Sequence, residues 1–337
     1  MAKTALNKNL QTAKSSKKDE FYTQLADIER ELKNYKDHFK NKVVYCNCDD
    51  PRVSHFFHYF SYNFEQLGLK KLITTCYKNQ NADLFSQNKS EKAIYLEYNG
   101  DKNANNVPDP EEIGIEHLNG DGDFRSKESI DLLKKADIVV TNPPFSLFRE
   151  YVSQLIEHDK SFVIVGSFNA ITYKEIFNLI KENKIWLGYG FKGGNAYFKT
   201  THVKEFAKGV YDEETDLVKF RNVTWYTNLD ISKRHEEQIL YKKYSPELYP
   251  TYDNYNAIEV SKVANIPLDY KGIMGVPITF LDKYNPKQFE IIGSDYDVRT
   301  GLLPEIVNPK WNGKIDRAYI NGKRMYARLL IKLKQPN

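Results

Sequence analysis

From Asp137 to Phe148 the chain reads DIVVTNPPFSLF, and no other stretch restricts its fold as strongly. Ile138, Val139 and Val140 form an apolar, β-branched run without polar alternation, the pattern of a strand buried on both faces. The run then stops on Asn142 and two prolines, which remove two backbone donors at once, and Phe145 follows. Proline after Asn142 biases that residue toward extended geometry and fixes the turn beyond it.

The carbonyls of Asn142 and Pro143 can therefore point outward with no adjacent N–H competing, beside the Asn142 side-chain oxygen. Such a cluster of acceptors suits a donor with two hydrogens, an exocyclic amino group. Phe145 supplies a flat surface on which the ring bearing that group can stack. Accepting both N–H bonds localises the nitrogen lone pair, so the nitrogen can attack an electron-poor methyl before losing a proton. That is methyl transfer from a sulfonium donor by in-line displacement, where positioning and electrostatics dominate and no general base is obligatory. The plainer account of the same residues is a proline-terminated strand followed by a core phenylalanine.

The flanking sequence gives the strand its setting. KVVYCNC, KKLITTCY, AIYLEYN, IEHLNG, FVIVGS and KIWLGYG read as strands. SHFFHYFSYNFEQLG, SKESIDLLKKA, SLFREYVSQLIEH and TYKEIFNLIKE read as helices, the first ending on Gly68. Residues 25–38 carry helical periodicity as well. Strands alternating with helices, with continuous apolar runs, predict a doubly wound parallel sheet. Ligands of such sheets bind outside the carboxyl ends of the strands. That rule singles out three loops: NCDDP, DGDF and NPPF.

After residue 190 the texture changes to glycine-, lysine- and tyrosine-rich sequence. VTWYTNLD looks like a strand again, and RAYINGKRMYARLLIKLK reads as a hairpin turning on Asn321-Gly322. The expected division is a basic flexible arm over 1–18, an α/β domain over 19–189 and a second region over 190–337, with 223–230 returning to the sheet of the first. Charge follows the same division. Residues 1–18 carry Lys3, Lys8, Lys14, Lys17 and Lys18 with no acid, residues 190–337 are net basic, and the body between is net acidic. Basic ends suggest a polyanion held at the periphery, and 24 tyrosines suit base stacking.

Other signals exclude more than they assign. Three cysteines, Cys46, Cys48 and Cys76, have no metal-ligand spacing, and their odd number argues against a disulfide framework. His55 and His58 lie three apart on a helix, but no cysteine or acid cluster completes a metal site. FKGGN lacks the lysine and hydroxyl of a phosphate loop. No run approaches a membrane span and no signal-peptide core opens the chain, so a reduced, cytoplasmic setting is expected.

KKDEFYTQ (17–24), KVVYCNCDDPRVS (42–54), GDGDFRSKESIDLLKKADIVVTNPPFSLFREY (120–151), ITYKEIFNLIKENKIWLG (171–188), TNLD (227–230) and PLDYKGIMGVPITFL (267–281) together carry a resemblance. In these segments the chain resembles the EcoRI-type adenine-specific DNA methyltransferases of bacterial restriction–modification systems. The likeness is poor over 78–116, 190–222 and 294–316.

The resemblance implies an α/β fold: a Rossmann-like S-adenosylmethionine-dependent methyltransferase sheet with an inserted or appended target-recognition region. It implies Asn142, Pro143, Pro144 and Phe145 as the catalytic motif, gripping an adenine flipped from duplex DNA. It implies a cofactor site of Phe21, Tyr22 and Thr23 from the N-terminal motif, Cys46, Asn47, Asp49 and Asp50 from the first loop, and Asp123 and Phe124. There the Asp123 carboxylate would take the cofactor's adenine amino group and Phe124 would pack on its ring. The first loop lacks the glycines of the general methyltransferase pattern, and an N-capping role for Asp49 or Asp50 ahead of the helix at 54 is the alternative.

Residues 190–222 and the C-terminal third would read the target, with Lys192, Asn195, Lys199, Lys323, Arg324 and Arg328 as candidate DNA contacts. A monomer acting beside a cognate restriction endonuclease is implied, and GAATTC is the default target by resemblance alone. The NPP motif by itself also permits an amino group of an RNA base, of cytosine or of a glutamine side chain. A non-catalytic nucleic-acid-binding relative is a further alternative, supported by the altered first loop.

Overall fold

The computed structural model describes residues 22–48, 50–77, 93–101, 108, 113–199 and 209–334. The arm expected over 1–18, and with it Phe21 and Asp49, lies outside the described residues. The chain divides into two compact units, one of residues up to Asn178 with Ile185–Leu229, the other of Leu179–Lys184 with Asp230 onward. The division falls after Leu229 and not near residue 190, because the strands between 195 and 227 pair inside the first unit.

In the first unit the chain runs β1 (Tyr22–Thr23), α1 (Leu25–Leu32), β2 (Val43–Cys46), α2 (His55–Tyr62), β3 (Lys71–Thr75), β4 (Ile94–Tyr98) and β5 (Glu116–His117). It continues through α3 (Lys127–Lys135), β6 (Ile138–Thr141), α4 (Phe148–Glu157), β7 (Ser161–Ser167), α5 (Lys174–Lys181, whose last turn belongs to the second unit), β8 (Trp186–Leu187), β9 (Asn195–Lys199), β10 (Tyr211–Asp212), β11 (Leu217–Arg221) and β12 (Val223–Thr227).

Eight strands form one sheet in the order β5-β4-β3-β2-β6-β7-β12-β8. Its centre is parallel: β2 pairs with β3 and β6, and β6 with β7. All four residues of β2 and of β6 are buried, as continuous apolar runs require. The flanks are antiparallel, so the sheet expected to be parallel is mixed. The reason is visible in β4, where Ile94, Leu96 and Tyr98 are buried and Tyr95 and Glu97 half-buried, an alternation suited to antiparallel pairing at a half-covered flank. Val223–Thr227 joins between β7 and β8, with Trp225 opposite Val165.

The helices start and stop where local chemistry dictates. Ser54 caps α2 by accepting from the Phe56 and Phe57 amides, and Ser126 caps α3 through the Ser129 amide. The cap of α2 is thus the serine and not Asp50. Gly68, with φ of 61°, closes the following turn Phe64–Leu67 in the left-handed conformation.

A second sheet of the same unit is antiparallel, in the order β1-β9-β11-β10. It joins Tyr22 and Thr23 to Lys199 and Phe198.

The second unit is built on β13 (Ile258–Glu259), β14 (Met274–Pro277), β15 (Phe289–Ser294), the short helix α6 (Asp295–Arg299), β16 (Tyr319–Ile320), β17 (Lys323–Arg324) and β18 (Arg328–Leu333). Its sheet runs β13-β14-β18-β15 over a core that includes Tyr252, Tyr255, Val298, Ile306 and Leu330. Asn321 and Gly322, with φ of 50° and 73°, make the tight turn between β16 and β17. The hairpin ends there. β18 leaves it to lie between β14 and β15, so the expected hairpin over the whole tail is corrected to residues 319–324. Among the described residues no helix is long and apolar enough to cross a membrane.

Candidate active site

Strands β2, β5 and β6 run in the same direction, so the loops that follow them leave at the same end of the sheet. The loop after β2 begins with Asn47, which is buried and tied once to β6 and once to α4. Its backbone carbonyl accepts from the Thr141 hydroxyl at the end of β6, and its side-chain oxygen accepts from the Tyr151 hydroxyl on α4. Cys48 follows with φ of 85°, a backbone conformation usually left to glycine. The missing glycine is thus replaced in geometry, at roughly 1–2 kcal/mol of steric strain. Asp50 is held by Arg52, accepting its amide at 2.9 Å and its guanidinium at 2.6 Å.

Tyr151 is fully buried and reaches a second loop too. Its ring stands edge-on to Phe124 at 5.1 Å, and Gln154 one turn on donates its amide to the Phe124 carbonyl at 3.0 Å. Burial raises the Tyr151 hydroxyl well above the ordinary phenol range, which keeps it a hydrogen-bond donor. Gly122 places the same loop against the end of β3: with φ of 77°, a Cβ there would run into the Cys76 carbonyl and come within 2.9 Å of Ala93. Asp123 carries a bidentate pair with Arg125, at 2.8 and 2.6 Å, and that carboxylate raises the Arg125 pKa. Arg125 also lies over the Phe124 ring at 5.3 Å.

The third loop is NPPF. Asn142 and Pro143 are buried, while Pro144 and Phe145 are half-exposed. Phe145 stands edge-on to Phe198 of β9 at 6.4 Å and to Phe220 of β11 at 6.5 Å. Those two rings lie 5.6 Å apart and form one aromatic bed. The second sheet therefore supports the motif's phenylalanine. The same sheet carries Tyr22 and Thr23, and His55 on α2 donates its Nδ1–H to the Thr23 carbonyl at 2.7 Å. His55 thus ties the N-terminal motif to the helix after the first loop. Burial, and then His55, lower the pKa of the half-buried His58.

Sequence reasoning misses several of the residues that organise this region: Tyr151, Gln154, Phe198, Phe220 and Glu31. Glu31 on α1 is fully buried and accepts from the Tyr35 hydroxyl at 2.8 Å, the Tyr189 amide at 2.8 Å and the Gly190 amide at 3.0 Å. It anchors the turn leading from β8 toward β9. A tyrosine at the fourth helical position of a motif-bearing segment is a weak signal, and the two phenylalanines lie where the resemblance is poorest.

The structure brings Asn47, Asp123, Phe124 and Asn142–Phe145 to one end of the large sheet, with Tyr22 and Thr23 in the second sheet of the same unit. The candidate DNA contacts are scattered. Lys192, Asn195 and Lys199 belong to the first unit, Lys323 and Arg324 to the second. Arg324 is exposed and paired with Asp316 at 2.8 Å. Arg328 is corrected outright as a phosphate contact. It is buried in β18, with its guanidinium bound to the equally buried Glu259 at 2.6 Å, so its charge is neutralised inside the unit.

Comparison with known proteins follows the same residues. The sequence model of the family described as "Adenine-specific methyltransferase EcoRI" matches residues 9–334. The chain is 50% identical to the Type II methyltransferase M.EcoRI of Escherichia coli, over 99% of both chains. It is 38% identical to the Type II methyltransferase M.MgeORF184P of Mycoplasma genitalium, over 96% of this chain and 98% of the relative. It is also 38% identical to the Type II methyltransferase M.MpnI of Mycoplasma pneumoniae, over 96% and 97%. No solved structure matches.

Proposed function

The chain belongs to the EcoRI family of adenine-specific methyltransferases, and on that premise we propose a mechanism in which Asn142–Phe145 grip the target adenine of a DNA duplex. It is a Type II DNA adenine methyltransferase of the restriction–modification kind. The observation that carries the mechanism is the convergence of the NPPF loop with the Asn47 loop through Thr141 and Tyr151, beside an aromatic bed under Phe145.

An adenine paired in a duplex cannot reach buried groups, so it must leave the stack. Phe145 stacks on the extruded base. The Asn142 side-chain oxygen and an outward carbonyl of the Asn-Pro-Pro turn accept the two hydrogens of its N6 amino group. The lone pair is then directed away from the ring, toward the Asn47 loop and the loop of Asp123 and Phe124. The acceptors are fixed before the base arrives, which is where electrostatic preorganisation has its effect.

The methyl donor in this reading is S-adenosylmethionine, which supplies an electrophilic methyl on sulfonium. The residues fit it. Cys48 gives the first loop the left-handed turn that glycine usually supplies, Asp123 offers a carboxylate beside the Phe124 ring, and Tyr22, Thr23, Cys46, Asn47 and Asp50 lie on the elements around them. The Rossmann-like description belongs to the parallel centre β3-β2-β6-β7. Lys192, Asn195, Lys199, Lys323 and Arg324 are the DNA contacts of this reading. The chain acts as a monomer in the bacterial cytoplasm, with a cognate restriction endonuclease as functional partner and no required contact between them.

The test is transfer of labelled methyl from S-adenosylmethionine to duplex DNA, RNA and protein in parallel. Label at adenine N6 of duplex DNA is expected, and label confined to RNA, cytosine or glutamine would overturn the reading. Asn142→Ala is expected to abolish transfer while calorimetric binding of S-adenosylmethionine survives. Turnover within a few-fold of the wild type would remove Asn142 from the mechanism.

A further inference from the structure

The sheet under Phe145 has a second face. Register alternation puts Thr23, Ala196, Phe198, Val218 and Phe220 on one side, where all are buried. The other side carries Tyr197 opposite Lys219 and Asn195 opposite Arg221. Tyr197 and Arg221 are exposed, and Tyr197 shows 40% of its surface. The Lys219 ammonium lies 5.7 Å over the Tyr197 ring, which holds it on the sheet without neutralising it. Lys192, exposed, stands in the turn just before Asn195. None of Lys192, Lys219 and Arg221 makes an ion pair with a described carboxylate.

The sheet is polarised end to end. Its β10–β11 turn carries Asp212, Glu213, Glu214 and Asp216, and two of these acids are satisfied locally: Asp212 accepts the Glu214 amide and Asp216 the Tyr211 hydroxyl. The opposite end, where Arg221 leads directly into β12 of the large sheet, is cationic. Lys219 and Arg221 are successive outward residues of one strand, about 6.6 Å apart along it. Such a short row of cations, without ion pairs among the described residues, fits a run of phosphates better than a single carboxylate.

Resting on the reading of the chain as a DNA methyltransferase, we infer that Lys192, Lys219 and Arg221 form a phosphate clamp on the substrate duplex. The clamp is built on the outer face of the sheet whose inner face seats Phe145. One sheet then both holds the DNA backbone and supports the ring on which the extruded base stacks. The contacts carry no base information, because phosphates position and base edges specify.

The experiment compares wild type, Lys219→Gln with Arg221→Gln, and Lys192→Gln alone, for binding to cognate and scrambled duplexes across a salt series. The double variant is expected to weaken both duplexes by the same factor and to flatten the log–log salt slope by about 1.8, near 0.9 for each phosphate no longer neutralised. Lys192→Gln is expected to flatten it by about 0.9. Unchanged S-adenosylmethionine affinity in each variant establishes that the first unit is folded. Lys219→Arg, which keeps the charge, is expected to retain the wild-type slope, and it guards against a loss due to packing alone. Folded variants with the wild-type slope would overturn the clamp. So would a loss confined to the cognate duplex, which marks base readout. A wild type that transfers no methyl to duplex DNA would instead sink the parent reading, and that outcome is read from a separate assay.

Discussion

Glu31 offers the most direct test of how the second sheet is held. Its carboxylate is fully buried and accepts three hydrogen bonds, from the Tyr35 hydroxyl and from the Tyr189 and Gly190 amides. Glu31→Ala leaves all three donors without that acceptor in a dry site. A stranded buried donor costs about 1–3 kcal/mol, and water entering the vacated space can satisfy one or two of the three. One or two donors left stranded give an expected loss of about 1–6 kcal/mol, the upper end being among the largest effects single substitutions produce. Glu31→Gln keeps one oxygen but turns an NH2 toward a donor, so roughly half that loss is expected. Gly188 reports on the same contact, because a Cβ there would strike the Glu31 carboxylate and come within 3.0 Å of the Tyr35 hydroxyl. The assay is urea unfolding followed by circular dichroism, with the midpoint read at unchanged slope. A Glu31→Ala midpoint shift equivalent to less than about 1 kcal/mol would refute the reasoning, since one ordinary neutral hydrogen bond is worth that much.

Three further expectations follow from named contacts. Asp123→Ala should weaken S-adenosylmethionine binding by about 1.5–3 kcal/mol, the range for a hydrogen bond to a charged group. Arg125→Ala, which frees the carboxylate from its bidentate partner, should leave that affinity intact or raise it; calorimetry showing equal losses in both would mean the pair only shapes its own turn. Arg328→Ala strands the buried Glu259 carboxylate and should cost about 3–5 kcal/mol in unfolding of the second unit, while the salt slope of DNA binding stays at its wild-type value. Burial pushes the Asp295 carboxyl up to about 6, against the Arg328 amide and the Arg317 guanidinium, which pull the other way. Because its folded pKa exceeds the unfolded one, the folded state binds that proton more tightly, and the stability it contributes below about pH 4 is lost as pH rises through 6. Thermal melts of wild type should therefore rise between pH 7.5 and 5 relative to Asp295→Asn, and parallel profiles would remove Asp295 as the cause.

What the sequence discloses is what short-range chemistry decides. The β-branched runs at Val43–Cys46 and Ile138–Thr141, the serine caps at Ser54 and Ser126, Gly68 and the Asn321-Gly322 turn all state their conformations locally. What it withholds depends on partners far along the chain. Nothing in Tyr22–Thr23 indicates that it pairs with residues 198 and 199. In the sequence the Arg328 guanidinium looks like one more cation in a basic tail, because its partner Glu259 lies 69 residues away. Direction of pairing is partly legible: the alternation in Ile94–Tyr98 argues for an antiparallel flank, and the surrounding helix–strand rhythm masks it.

The first loop shows the same division at the site itself. Reading NCDDP for composition leads to a missing glycine and a weakened cofactor loop. Backbone geometry adds what composition omits, because Cys48 adopts the left-handed conformation that glycine usually supplies. A non-glycine residue stays there only when its surroundings outweigh the strain. Here the neighbouring residue supplies the constraint: Asn47 is fixed through its carbonyl by Thr141 and through its side chain by Tyr151. Both of those partners flank Asn142–Phe145 in the chain. The loop that lacks its glycine is therefore held in shape by the residues that bracket the catalytic motif. The Asn47 loop and the segment carrying Asn142–Phe145 are in consequence one hydrogen-bonded structure, and a change in either is felt in the other.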